Sequence, residues 1–259
     1  MSIRWIVLTF IGLCVLGGLV AGVFAHSIEA ALTMRAGNRM NAVVSPQMPP
    51  APVATTMPTP TLKGMNMLAH DTFQRADQLF WGMASDGREW DGDANRANVF
   101  SIVGRTGLIA QGQGVFSALL GPASTNVEVR VSGSVDRFNA NQVNIGAVLR
   151  WTDNNNWYKA LIDGATLRIL KRVNGTTSQI GTIPFPAQAG SFYTLLFRAV
   201  GAMLFAKVWP SDGAEPNGWM LTVPDVSLTS GFGGIRVAIQ NGVIVKVTSF
   251  LETTVGNMN

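Results

Sequence analysis

The sequence predicts an all-β domain in which antiparallel strands form a two-layer sandwich. Three observations support this fold class. From residue 71 onward apolar and polar residues alternate with a period of two, glycine-containing turns interrupt the alternation at short intervals, and no segment has a convincing helical period. Without helices to cover a parallel sheet, strands of this kind pack as an antiparallel sandwich or barrel, and their length favours two large sheets.

The N-terminal segment is the most apolar part of the chain. The residues from Trp5 to Ala25 carry no charge and follow a short tail that contains Arg4. About twenty such residues can span a bilayer. Residues 1–36 are therefore interpreted as an N-terminal transmembrane anchor helix with its extension, the amino terminus lying inside. Small residues near Ala25 leave open the alternative of a cleaved signal peptide. The first interpretation predicts a membrane-anchored protein at the extracellular cell surface, the second a secreted one.

The next segment, residues 37–70, is interpreted as a Pro/Thr-rich stalk. Proline and threonine are dense from Ser45 to Gly64, and this composition favours extended chain over helix or sheet interior. Such a linker would hold the following domain away from the membrane. The domain itself is assigned to residues 71–252, and residues 253–259 form a C-terminal tail.

The charge balance argues against a nucleic-acid partner, and the cysteine content excludes disulfides from the predicted domain. The chain has a net charge of +4, but from Asp71 onward its 15 basic residues nearly balance 14 acidic ones. A nucleic-acid-binding domain would concentrate positive charge, so no nucleic acid is expected as a partner. The single cysteine, Cys14, lies in the apolar segment, and the predicted domain can therefore form no disulfide.

Turn dipeptides define the strand order expected within the domain. Asp163-Gly164 and Asn174-Gly175 favour positive φ and predict a three-stranded meander. Two further hairpins are predicted across Gly201 and across Asn241-Gly242. The closing strand, from Val243 to Phe250, is expected to return beside the opening segment 71–73.

Three segments carry a family resemblance. They are the opening DTFQRADQLFWGMASDGREWDGD with FSIVGRTGLI, the central GAVLRWTDNNNWYKALIDGATLRILKRVNG and the closing GFGGIRVA. Together they resemble the concanavalin A-like lectin/glucanase superfamily, and within it the laminin-G-like and 3-keto-disaccharide-hydrolase-like domains of bacterial surface proteins. The resemblance spans about residues 71–252. It implies a two-sheet antiparallel jelly roll whose concave face or loop rim often binds glycans, sometimes with calcium.

The carboxylates do not predict catalysis. A glycoside hydrolase needs two carboxylates across the scissile bond, but the four glutamates of the domain are far apart in sequence and the E-x-D-x-x-E motif of related glucanases is absent. The domain is therefore expected to be no enzyme. An unusual glycan-processing enzyme stays open as an alternative if Asp91 and Asp153 meet in space.

Oxygen-rich loops contain the weak candidates for a calcium site, Asp91, Asp93 and Asp153. Asp, Asn and Gly are also the residues that turns prefer, and the turn interpretation is favoured. No cofactor is otherwise expected.

A sugar site is predicted from aromatic and polar residues near the Asn-rich turn. Trp151 continues the apolar register of its strand and is expected in the core. Trp157 and Tyr158 point to opposite faces, so one of them should lie at the rim, and Trp90 lies in a loop where exposure is plausible. The predicted ligand-binding residues are Trp90, Arg150, Asn154, Asn155, Asn156, Trp157 and Tyr158.

These observations predict a surface-displayed, non-catalytic binding module for a glycan or cell-surface polysaccharide, attached to the membrane by its N-terminal helix. The main alternative is a structural or protein-interaction subunit of a cell-surface assembly or filament, for which self-assembly is expected. An exposed apolar patch or an unpaired edge strand would favour that alternative.

Overall fold

The computed structural model describes residues 66–139 and 142–256, and all regular elements in this part are β-strands. In chain order they are β1 (Met67–Asp71), β2 (Gln78–Leu79), β3 (Asp91–Gly92), β4 (Phe100–Val103), β5 (Thr106–Ile109), β6 (Gly114–Leu119), β7 (Val127–Val135), β8 (Asn144–Asp153), β9 (Asn156–Ile162), β10 (Thr166–Val173), β11 (Thr176–Pro184), β12 (Phe192–Val200), β13 (Met203–Pro210), β14 (Leu221–Pro224), β15 (Phe232–Ile239) and β16 (Val245–Thr254).

The strands form two antiparallel sheets. The nine-stranded sheet has the order β14-β13-β12-β7-β16-β5-β4-β2, with β1 also paired to β16. The seven-stranded sheet has the order β11-β10-β9-β8-β15-β6-β3. The predicted all-β class with two antiparallel sheets in a sandwich-like arrangement is thereby confirmed.

One hydrophobic core is built from alternate residues of both sheets. On β7 the side chains of Val127, Val129 and Val131 are buried in it, and on β9 the side chains of Tyr158 and Ala160. Because successive side chains of a strand point to opposite faces, the intervening residues lie on the outer faces of the sandwich. Those outer faces are where polar groups can gather.

Three of the predicted hairpins and the chain closure are confirmed. β9 and β10 pair across Asp163-Gly164, with Ile162 opposite Leu167. Val173 pairs with Thr176 across Asn174-Gly175, whose φ angles of 49° and 81° are those of a two-residue type I′ turn. β12 and β13 pair across Gly201. β16 returns beside β1.

The hairpin predicted across Asn241-Gly242 is wrong. β15 belongs to the seven-stranded sheet and β16 to the nine-stranded sheet, so this turn carries the chain from one sheet to the other. Gly242 has a φ of 76°, and the Val243 amide donates to the Gln240 carbonyl over 3.1 Å. A glycine at positive φ is equally suited to this turn and to a hairpin, and the long pairing of β16 with β7 decides between them.

A bulge in β8 changes the register that the alternation predicts. Pairing with β9 shifts between Leu149 and Asp153, and Arg150 takes a φ of 49°. A β-bulge re-aims the side chains that follow it. Trp151, predicted in the core, is consequently only half-buried, while Arg150 turns inward.

The first and last strands extend beyond the predicted bounds 71 and 252. β1 begins at Met67, and β16 ends at Thr254. The predicted anchor helix and most of the predicted stalk lie outside the described residues. Within residues 66–139 and 142–256 there is no helix with the length and apolar character needed to cross a membrane.

Candidate functional site

The outer face of the seven-stranded sheet carries a polar cluster. On β9, Tyr158, Ala160 and Ile162 belong to the core, so Trp157, Lys159 and Leu161 point outward. Register places Lys159 between Val148 of β8 and Leu170 of β10. Side chains of five further strands, β6, β8, β10, β11 and β15, extend over the same region.

These side chains enclose a cavity of about 220 Å³, called here the outer-face cavity. Its lining combines hydrogen-bonding groups with apolar ones. The lining residues are Val115, Asn144, Trp157, Lys159, Leu161, Leu170, Arg172, Thr177, Arg236 and Ala238.

Lys159 is the most deeply buried cation of this cavity, with a relative exposure of 3%. Its Nζ donates to the Oδ1 of Asn144 over 2.5 Å. Burial, together with the guanidinium groups of Arg236 and Arg168, lowers the pKa of Lys159 well below its usual range. The amine therefore lies among positive charges rather than beside a carboxylate.

Arg236 crosses the cavity from β15. Its guanidinium lies 5.0 Å from the centroid of the Trp157 ring, and its Nη1 donates to the Oγ of Ser117 and, over 3.4 Å, to the Oδ1 of Asn154. Burial lowers the pKa of Arg236, Asp93 partly offsets this effect, and the positive charge of Arg172 adds to it. The indole thus orients the guanidinium by a cation–π contact.

Arg172 lies at the rim. Its Nη1 donates to the Oγ1 of Thr177 over 3.0 Å, whereas its Nε is buried without a hydrogen-bond partner in the described part of the chain. Unpaired buried donors cost free energy and are uncommon in folded proteins. The Nε of Arg172 is therefore a buried hydrogen-bond donor that finds no acceptor in the described part of the chain.

The nine-stranded sheet offers a contrasting outer face. There Arg130 and Lys207 pair with Glu215 over 2.8 and 2.7 Å, and Arg198 pairs with Glu128 through its Nε over 2.6 Å. Burial would raise the pKa of Glu215, but the hydrogen bonds from Lys207 and Arg130 outweigh it and lower the pKa. On this face each of the three cations has a carboxylate partner, and the three pack over tryptophans 209 and 219.

The Asn-rich turn that the sequence singled out adjoins the outer-face cavity. The Trp157 Nε1 donates to the Asn154 carbonyl over 3.1 Å, and the Asn155 carbonyl and Asn156 Oδ1 accept from the backbone of the β10–β11 turn. Of these residues only Trp157 lines the cavity, and Arg236 covers its ring. The predicted turn thus adjoins the outer-face cavity, but the Trp157 ring is only 4% exposed, so the expectation of an aromatic at the rim is wrong.

Three predicted site residues lie elsewhere. Trp90 is 1% exposed, packs against Phe73, Trp81 and Phe250 in the core, and donates from Nε1 to Asp71 over 2.7 Å. Its prediction as an exposed loop aromatic is wrong, because the loop folds inward around this aromatic cluster.

Arg150 is 2% exposed and is also wrongly predicted as a ligand residue. The bulge directs its guanidinium to the backbone carbonyls of Thr125, Leu228 and Gly201, at 2.8–3.2 Å. Burial lowers the pKa of Arg150. Its hydrogen bonds connect three chain segments, a structural role.

Tyr158 is fully buried in the core. Its hydroxyl donates to the Oδ1 of Asp225 over 2.6 Å and accepts from the Leu228 amide over 2.9 Å. Burial and the bond to Asp225 raise the pKa of Tyr158 to about 12. The prediction that Trp157 and Tyr158 face opposite sides holds, with Tyr158 on the core side.

The weak calcium candidates are separated in the structure. Asp91 pairs with Arg96 over 3.1 Å, Asp93 accepts from the Ser117 amide over 2.8 Å, and Asp153 accepts from Asn155 and Asn156 in its own turn. Among the described residues no three His, Cys, Asp or Glu side chains come close enough to hold a metal ion.

A larger cleft of about 710 Å³ lies among loops at one end of β12 and β13. Its lining contains one charged side chain, Asp212, and the half-exposed ring of Phe192. The Tyr193 hydroxyl in its wall accepts from the Gln188 amide over 2.8 Å. This loop cleft has fewer convergent charged donors than the outer-face cavity.

The sequence missed Asn144, Arg172 and Arg236 as site residues. Each occupies an outward position of an alternating strand, and that pattern was the available signal. Alternation identifies the face on which a side chain lies but not which strands are neighbours, so the convergence of β8, β10 and β15 could not be predicted.

No family model matches the chain, and no curated protein matches it. Solved structures do share its fold. A xylan β-1,4-xylosidase from Bacillus halodurans C-125 is 15% identical with a TM-score of 0.52, over 71% of this chain and 38% of the xylosidase. The carbohydrate-binding module CBM66 from Bacillus subtilis is 16% identical, over 71% of this chain and 96% of the module, with a TM-score of 0.46.

Lectin II from Ulex europaeus is 12% identical, over 71% of this chain and all of the lectin (100%), with a TM-score of 0.48. At 15% identity and a TM-score of 0.52, the likeness to the xylosidase shows a shared fold and no more.

Proposed function

We propose that this protein is a non-catalytic carbohydrate-binding module with a jelly-roll fold of the concanavalin A-like type, and that the outer-face cavity is its sugar site. The observation that carries the proposal is the lining of that cavity. Asn144, Thr177 and the two arginines supply hydrogen-bonding groups in the same lining as apolar side chains such as Leu161 and Leu170.

A sugar ring matches such a lining because it has hydroxyls around its edge and C–H groups on its face. Small-ligand sites typically combine an apolar surface with a few placed polar groups.

The proposal includes display at the cell surface. The uncharged segment from Trp5 to Ala25 would anchor the chain or direct its secretion, and the Pro/Thr-rich residues 37–70 would hold the domain away from the membrane. Many copies on one surface would let a weak site act through avidity.

The experiment is a glycan array probed with the full-length protein in mild detergent, with and without calcium. We expect at least one glycan to bind with a dissociation constant from micromolar to millimolar, about −8 to −4 kcal/mol. Lys159→Met should abolish that binding, whereas Phe192→Ala in the loop cleft should leave it unchanged.

The opposite pattern, loss in Phe192→Ala and retention in Lys159→Met, would move the site to the loop cleft. Absence of binding to every glycan would favour the protein-interaction alternative. One observation supports that alternative: β11 is a nine-residue strand at a sheet edge, paired in the described residues only with β10.

A further inference from the structure

The outer-face cavity gathers positive charge without carboxylates to neutralise it. Lys159, Arg172 and Arg236 line it together, and in the described residues none of the three has a carboxylate within ion-pair distance. Asp93 is near enough to influence Arg236 but forms no ion pair with it. The opposite outer face, where two glutamates serve three cations, shows that this arrangement is not a general property of the sandwich.

Hydrogen-bond donors are also in excess in the cavity. The Lys159 ammonium has three donor positions and one side-chain acceptor, Asn144, and the Nε of Arg172 has no acceptor among the described residues. Crowded cations with spare donors are stabilised by an anion, which supplies both charge and acceptors. Since like charges and burial lower the pKa of Lys159, an incoming anion would also restore its preference for the ammonium form.

We propose, on the premise that the cavity is a sugar site, that it is selective for an acidic sugar whose carboxylate or sulfate accepts hydrogen bonds from Lys159, Arg172 and Arg236. The apolar side chains of Leu161 and Leu170 face the rest of the sugar, and Asn144 and Thr177 lie within the same lining for its hydroxyls. The contact of Arg236 with Trp157 holds one guanidinium in place before the ligand arrives, which reduces the entropy lost on binding.

The test is calorimetric titration of the full-length protein with four sugars. Oligogalacturonate carries carboxylates, its methyl ester is the uncharged counterpart, sulfated dextran carries sulfates, and galactan is neutral. We expect oligogalacturonate or sulfated dextran to bind at least about tenfold more tightly than the two uncharged sugars, and the tighter of them identifies the acidic group.

Variants locate the site. Arg172→Gln at the rim and Lys159→Met inside should each weaken acidic-sugar binding about tenfold or more, the loss expected for one charge-assisted hydrogen bond. Lys246→Gln is the matched control, because it removes one positive charge from an exposed position on the nine-stranded sheet, and it should bind like the parent. Arg172→Gln should melt like the parent, so a loss of affinity there would report the site rather than folding.

The outcomes separate the two proposals. If neither oligogalacturonate nor sulfated dextran binds more tightly than the methyl ester and galactan, the acidic selectivity is overturned and the sugar site is left standing. Acetate or inorganic sulfate binding as tightly as the acidic sugars would support an anion site but overturn the sugar premise. Unchanged acidic-sugar binding in both cavity variants would overturn the assignment to this cavity.

Discussion

Glu252 should make the stability of the domain depend on pH. This residue of β16 is completely buried, and neither of its carboxyl oxygens has a hydrogen-bond partner in the described residues. Its oxygens lie against Gly121 and Gly233, where a Cβ would come within 2.1 and 2.5 Å of them, so the glycines leave the space that the carboxyl fills. Burial raises the pKa of Glu252 from an ordinary 4.5 to about 8, and Arg88 offsets this only partly.

The raised pKa of Glu252 determines whether the domain gains or loses stability as the pH rises. A carboxyl with a higher pKa in the folded state binds more protons when folded, so its contribution is fully present below pH 4.5 and is lost as the pH rises toward 8. At about 1.4 kcal/mol per pH unit, Glu252 should cost about 4 kcal/mol of unfolding free energy between pH 5 and pH 9, about 3 of it below pH 7.

The assay is urea unfolding of the parent and of Glu252→Gln at pH 5, 7 and 9. The amide cannot ionise, so we expect the variant to lose less stability than the parent as the pH rises, with the difference between them changing by about 4 kcal/mol. Burying the uncharged amide has a cost that does not depend on pH, so it would lower the unfolding free energy of the variant by the same amount at all three pH values. Glu89→Gln, which alters an exposed carboxyl, is the control and should follow the parent. Parallel curves for the parent and Glu252→Gln would refute the reasoning.

Four further substitutions test the fold. Gly175→Val and Gly242→Val each place a β-branched residue at positive φ, and thermal melting should show a loss of about 1–3 kcal/mol for both, one in a hairpin and one in the turn between sheets. Arg150→Met should cost about 3 kcal/mol in urea unfolding, because three backbone carbonyls lose a charged donor, and a parent-like midpoint would contradict its structural role. Trp90→Phe should lower stability by about 1–3 kcal/mol through the lost hydrogen bond to Asp71, while an unchanged melting temperature would indicate that this bond contributes nothing.

Local sequence chemistry predicted much of the fold. Period-two alternation predicted the all-β class, and Asn174-Gly175 predicted a two-residue hairpin because those residues accept positive φ at low cost. The site was predicted less well. The Asn-rich turn pointed to the neighbourhood of the outer-face cavity, but Trp90 and Arg150 were assigned to it although both are buried. A residue beside Asp and Gly in the sequence can still fold inward when other aromatic side chains surround it.

What the sequence determined by itself is the class of structure, since period-two alternation and glycine turns are properties of neighbouring residues. Which sheet receives each strand was decided only in the tertiary structure. Asn241-Gly242 fits a hairpin and a sheet-crossing turn equally well, and the pairing of β16 with β7 selected the crossing. The cavity depends on the same kind of decision, because Arg236 of β15 reaches Lys159 and Arg172 only through the pairing of β15 with β8. Turn dipeptides can encode pairing between successive strands, but pairing between strands distant in the chain depends on the packing of the whole domain.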